Sequence, residues 1–178
     1  MNVKGGRRIV TALVGVLAAG VLAYPALGQG AESVEPENQL ITPQGYGPVR
    51  IGASVQYLHR HHLINILESG CPGHPKERFA LLRRPMRGYV YFRDPKKGVA
   101  AVIVNRYVKT KTGIEIGSTG AEVVEAYPHY SIVKPGVDGK TPGYIWVPNL
   151  QHPKLTFTID AKTNQVSQIS APFQYSCL

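Results

Sequence analysis

Acidic side chains are scarce in this chain of 178 residues: 11 Asp and Glu stand against 20 Lys and Arg. A glycosidase needs two carboxylates placed across a groove, and nothing in the spacing of Glu68, Glu77, Asp94, Glu115, Glu122, Glu125, Asp138 and Asp160 singles out such a pair. Cysteine is scarcer still. Cys71 and Cys177 are the two present, so no Cys-x-x-Cys zinc clip exists, and no His-Glu-x-x-His helix replaces it. The Gly-x-Ser-x-Gly elbow of serine hydrolases is missing, as are the Walker and dinucleotide glycine spacings. The residues therefore lean away from an enzyme and imply no cofactor and no metal.

Long apolar runs are also few. Residues 9–24 form one, uncharged and 16 residues long, behind the basic head of Lys4, Arg7 and Arg8 and ahead of the small residues Ala26 and Gly28. That run is short for a membrane span and has the layout of a secretory signal peptide covering residues 1–28. A retained anchor is the other reading of the same residues. No cysteine precedes Cys71, so none is available for lipid attachment at the cleavage site. The expected location is secreted, extracellular or periplasmic, with no transmembrane span after cleavage.

Removal of residues 1–28 leaves 150 residues, with 17 Lys and Arg against 11 acids and a net charge of +6. One domain is expected at this length. In an oxidising compartment Cys71 and Cys177 are expected to pair, closing a loop of about 100 residues that stabilises by up to ~4.7 kcal/mol. A reactive thiol or metal ligand is the alternative. A basic secreted protein meets anionic envelope polymers, membrane surfaces or acidic proteins, or uses its charge for solubility alone. Nucleic acid is not an expected native ligand.

What is present is a repeated entry motif. Residues 48–63 read PVRIGASVQYLHRHHL and residues 113–128 read GIEIGSTGAEVVEAYP. A shift of 65 residues lays Ile51 on Ile116, Gly52 on Gly117, Ser54 on Thr119 and Leu58 on Val123. Ser54 and Thr119 suit helix N-caps, and Thr119-x-x-Glu122 is a capping box. Val55, Leu58, His62, Leu63, Ile66 and Leu67 recur at helical spacing, which predicts a helix running to Gly70. Val123, Val124 and Tyr127 predict a second helix that stops at Pro128. Strands are predicted over 79–82, 89–92 and 99–108, and then over 130–133, 144–147, 155–160 and 165–171. The expectation is an α+β fold: two tandem units of one helix followed by three or four antiparallel strands, with the helices packed on one face of the sheet. The units would span 48–112 and 113–178. They follow a flexible, extended N-terminal arm, residues 29–47, or an arm that orders on a partner, in which 38–42 is the part suited to pairing with a strand.

This helix-then-meander plan with its Ile-Gly entry resembles the tandem repeats of the β-lactamase-inhibitor-protein type and the small outer-membrane assembly lipoproteins. Those families favour Gly-Met-Thr at the entry, whereas Ala53 and Ser118 hold the Met position here. The resemblance implies non-catalytic protein binding through a sheet face and its loops, and carries over no inhibitory residue.

Two surfaces are candidates for such binding. Residues 76–97 hold Lys76, Arg78, Arg83, Arg84, Arg87, Arg93, Lys96 and Lys97, interleaved with Tyr89, Tyr91 and Phe92. Such a stretch suits an acidic partner or an anionic polymer, or else a solvated strand edge that resists aggregation. Tyr144 and Trp146 share one side of a strand and would anchor a partner if that side is open. The binding residues expected are Arg83, Arg84, Arg87, Tyr89, Tyr91, Arg93, Tyr144 and Trp146. His59 and His62 share a helix side, but no complete ligand set accompanies them. The expected function is a secreted, non-catalytic protein-binding module, an inhibitor or an adaptor of an extracellular complex, whose partner is another secreted protein met through the N-terminal arm or the sheet face. The alternatives are a cell-wall-glycan hydrolase and an envelope-binding protein using the basic patch.

Overall fold

The computed structural model describes residues 40–70, 76–151 and 154–172. All of these belong to a compact unit, Val34–Leu178. The expected signal peptide, the arm before Leu40 and both cysteines lie outside the described residues, and with them the expected disulfide.

The first described strands belong to a four-stranded sheet. It contains β1 (Leu40–Thr42), β2 (Gly45–Tyr46), β3 (Val49–Arg50) and β8 (Lys109–Thr110), in the order β3-β2-β1-β8. Of the segment 38–42, expected to suit pairing with a strand, the described residues 40–42 pair with β2 and β8. The following residues to 47, expected as part of an extended arm, are in this sheet or its turns, with Ile41 and Tyr46 fully buried.

Eight further strands make the large sheet. They are β4 (Glu68–Ser69), β5 (Arg78–Leu81), β6 (Tyr89–Phe92), β7 (Ala101–Val104), β9 (Ser131–Val133), β10 (Gly143–Val147), β11 (Leu155–Ile159) and β12 (Val166–Ala171). Their order is β4-β5-β6-β7-β12-β11-β10-β9, and every adjacent pair is antiparallel. Two runs of consecutive strands therefore meet at the β7–β12 seam.

The helices are short. α1 (Val55–Arg60) has six residues and α2 (Gly120–Ala126) has seven. Ser54 accepts from the Tyr57 amide at 3.1 Å. At α2 the capping box forms, with the Glu122 amide donating to Thr119 Oγ1 and the Thr119 amide donating to the Glu122 carboxylate. The two duplicated hydroxyls are therefore helix caps.

The α+β expectation is overturned. The described residues form a mostly β fold of twelve strands in two sheets, and each helix contributes one buried side chain, Leu58 or Val123. They are plugs in a β core, not a helical layer on a sheet face. The long first helix fails for a local reason. After Arg60 the chain turns at His62, which takes φ 54°, and then joins the sheet edge. The Asn65 amide donates to Leu81 O and the Arg83 amide to Leu63 O, both at 2.9 Å; Ile64 bridges Leu82. Ile64, Asn65, Ile66, Ser69 and Gly70 are weak helix formers, so pairing with residues 81–83 outweighs the helical spacing. Ile66, expected on the apolar stripe, is 81 % exposed.

The core lies between the small sheet, the helices and one face of the large sheet. Across that face run Ala80, Val90, Val102 and Ala171, and beside them Val104, Ile169, Phe157 and Ile145, each in register with the next. Both rows belong to one contiguous core with Ile41, Tyr46 and Val49. The strand pleat puts another row on the opposite face: Leu81, Tyr89, Ile103, Ser170, Thr156 and Trp146.

Candidate functional site

The turn between β5 and β6 is held at both ends. Met86 is buried and anchors it, while the Leu82 amide donates to Gly88 O at 3.0 Å. Gly88 has φ +131°, and a Cβ there would stand 2.1 Å from Ile103 O, so this turn lies tight against β7. Arg83, Arg84 and Arg87 project from the anchored loop. Antiparallel pairing of Tyr89 with Ile103 brings the residues just past β7, Asn105 and Arg106, to the same end of the sheet. Asn65 completes the arrangement by accepting from Arg83 Nε at 3.1 Å.

Together these residues line a groove of about 820 Å³, with four arginines, two asparagines, Tyr89 and no carboxylate in its lining. Arg83, Arg84 and Arg106 are exposed and Arg87 is half-buried. Among the described residues none of the four has an ion-pair partner. A guanidinium offers a rigid fork of N–H donors that fits a carboxylate or phosphate in bidentate fashion. Burial pushes the Tyr89 phenol above its ordinary value, so it remains a protonated hydroxyl at neutral pH. Four guanidinium groups with polar donors beside them, and no acid in the same lining, have the chemistry that suits an anion.

The sequence stretch 76–97 does not form one patch. β5 and β6 run antiparallel, with Arg78 opposite Phe92. Arg93, Lys96, Lys97 and Arg78 therefore collect at the far end of the hairpin, about 13 Å along the strand from the groove at 3.3 Å per residue. Tyr91 is 4 % exposed and packs with Ala101 and Ile103, which removes it as a surface anchor. Tyr144 and Trp146 lie on the face opposite the main core, half-buried, with ring centroids 5.7 Å apart and 28° between planes. Four strand spacings, about 19 Å, separate Trp146 from Tyr89 along the row through Thr156, Ser170 and Ile103. The aromatic pair and the arginine groove are two places. Arg106, the residue missed in the sequence, stands outside the basic run and joins it through strand register alone.

Much of the remaining chemistry is engaged in structure. Glu115 pairs with Lys109 at 3.3 Å. Asp94 accepts from the Lys96 amide. His59, His61 and His62 are exposed, and the His61 ring lies 4.4 Å from that of Tyr57. Among the described residues no three His, Cys, Asp or Glu are grouped to hold a metal, and no helix is long and apolar enough to cross a membrane. Comparison with family models, with curated proteins and with solved structures returned no match.

Asp138 and Asp160 close two equivalent loops, in DGKT and DAKT. Each accepts from two backbone amides, those of Lys140 and Thr141 or those of Lys162 and Thr163. These bonds, with those of the Thr141 and Thr163 hydroxyls, hold both carboxyls below the ordinary 3.8. The backbone and hydroxyl of Thr119 likewise hold Glu122 below 4.5. A lowered folded-state pKa adds stability that is complete above the ordinary value and disappears as pH falls through the folded one. Thermal unfolding should therefore show Tm steady from pH 7 to about pH 5 and falling below about pH 4. The Asp138→Ala/Asp160→Ala double variant should have a lower Tm at pH 7 and a shallower acid slope. An unchanged acid slope would refute this account of the two loops.

Proposed function

We propose that this chain is a secreted, non-catalytic binding module that docks an acidic partner protein in its arginine groove. The carrying observation is the meeting of Arg83, Arg84, Arg87 and Arg106 in a lining without a carboxylate. Like-charged groups held together without counter-charges destabilise the free protein slightly and favour an anionic occupant. The signal-like residues 1–28 support export. The absence of a catalytic motif in the sequence and the structural use of Asp94, Asp138, Asp160 and Glu122 support binding over hydrolysis. An inhibitor and an adaptor would both use such a groove.

The test is affinity capture from the producer's culture fluid with wild type and with the Arg84→Glu/Arg106→Glu variant as baits. Both residues are exposed, so the exchange should leave folding intact. Wild type is expected to retain an acidic protein that elutes as salt rises, and the variant to lose it. Recovery of the bait alone, or equal recovery by both baits, contradicts the proposal.

A further inference from the structure

A second cavity lies where the two sheets approach each other, and it shares no residue with the arginine groove. Its volume is about 320 Å³, which is at the small end of the range for sites that hold small molecules. Ile41 of β1 and Leu155 of β11 are its buried members, 1 % and 4 % exposed. Val147, Pro148, Pro43 and the ring of Tyr127 add apolar wall. Tyr127 is fixed there because it caps α2 at its C-terminus and its ring lies 5.5 Å from that of Phe157. The charged residues of the lining are Lys111 and Lys154, both exposed, and no acid accompanies them.

We infer that this cavity binds a small anionic amphiphile, with its apolar body between the two sheets and its carboxylate near Lys111 and Lys154. The apolar wall alone would take any oily molecule. The two like charges decide the class: they leave a cationic head repelled, a neutral head indifferent and an anionic head attracted. Exposed pairs of this kind each contribute modestly, so the preference of carboxylate over alcohol should be about five- to tenfold.

Titration of the chain with octanoate, octanol and octylamine, followed by NMR, tests this. Octanoate should saturate one site, shifting the amides around Ile41, Val147 and Leu155, and should bind about five- to tenfold more tightly than octanol. Octylamine should be weakest. In Lys111→Ala/Lys154→Ala the octanoate advantage should vanish while octanol affinity stays. In Val147→Trp, which fills the cavity, both should be lost. The lysine pair is exposed and decides the matter even if the tryptophan variant folds poorly. Equal affinity of wild type for octanoate and octanol, no saturable octanoate binding, or an octanoate advantage that survives loss of both lysines would overturn the inference.

Discussion

Phe157→Ala is expected to lower the free energy of unfolding by about 3–5 kcal/mol. Phe157 is at the centre of β11, all five residues of which are buried. Its register neighbours are Ile145 on β10 and Ile169 on β12, and all three are 0 % exposed. The Tyr127 ring closes over it from α2. Hydrogen-bonded strands on both sides hold the walls of the resulting cavity apart, so relaxation can recover little of the lost contact. Urea unfolding should show a large drop in midpoint with the slope unchanged. Val137→Ala, at a fully exposed valine, should stay within about 0.5 kcal/mol of wild type. A Phe157→Ala loss below about 1 kcal/mol would mean that the helix and the two sheets do not share one core.

Gly88→Ala should cost about 3 kcal/mol or more, because strain at positive φ adds to a backbone collision. The new Cβ would meet Ile103 O at 2.1 Å and Val104 Cα at 2.9 Å. Neither atom can swing aside as a side-chain tip would. β6 and β7 would have to part at the Tyr89–Ile103 pair, which sets the position of Arg106 against Arg83 and Arg84. Gly113→Ala separates the two causes: Gly113 has φ +88° but nothing within 4 Å of an added methyl, so it should cost about 1–2 kcal/mol from backbone conformation alone. Equal losses in chemical denaturation of the two variants would show that the close approach of the turn to β7 is not required.

Local signals in the sequence carried a good part of this structure. Strands β5, β6, β9, β10, β11 and β12 fall within a residue or so of the positions that β-branched and aromatic runs between Pro and Gly punctuation indicate. The capping box at Thr119 and Glu122 formed as read, because it depends on four adjacent residues. The fold class was misread because apolar spacing at 55–67 suits a helix, while the hydrogen bonds that pull 63–65 onto residues 81–83 come from distant chain. The small sheet was hidden for a similar reason: its strands are two or three residues long, and β8 joins β1 in parallel across almost 70 residues of sequence. The basic run was visible as composition. Its division between two hairpin ends, the burial of Tyr91 and the recruitment of Arg106 follow from strand register, which composition does not encode.

The central claim is that anions are recognised at the β5–β6 turn and not by positive charge in general. It is tested most directly by NMR titration of the chain with a glutamate-rich peptide at low and physiological salt. The account predicts amide shifts concentrated at Asn65, residues 83–89, Asn105 and Arg106, weakening with salt and abolished in Arg84→Glu/Arg106→Glu. Shifts spread evenly over Lys76, Arg93, Lys96, Lys97 and Lys140, or unchanged in that variant, would contradict it.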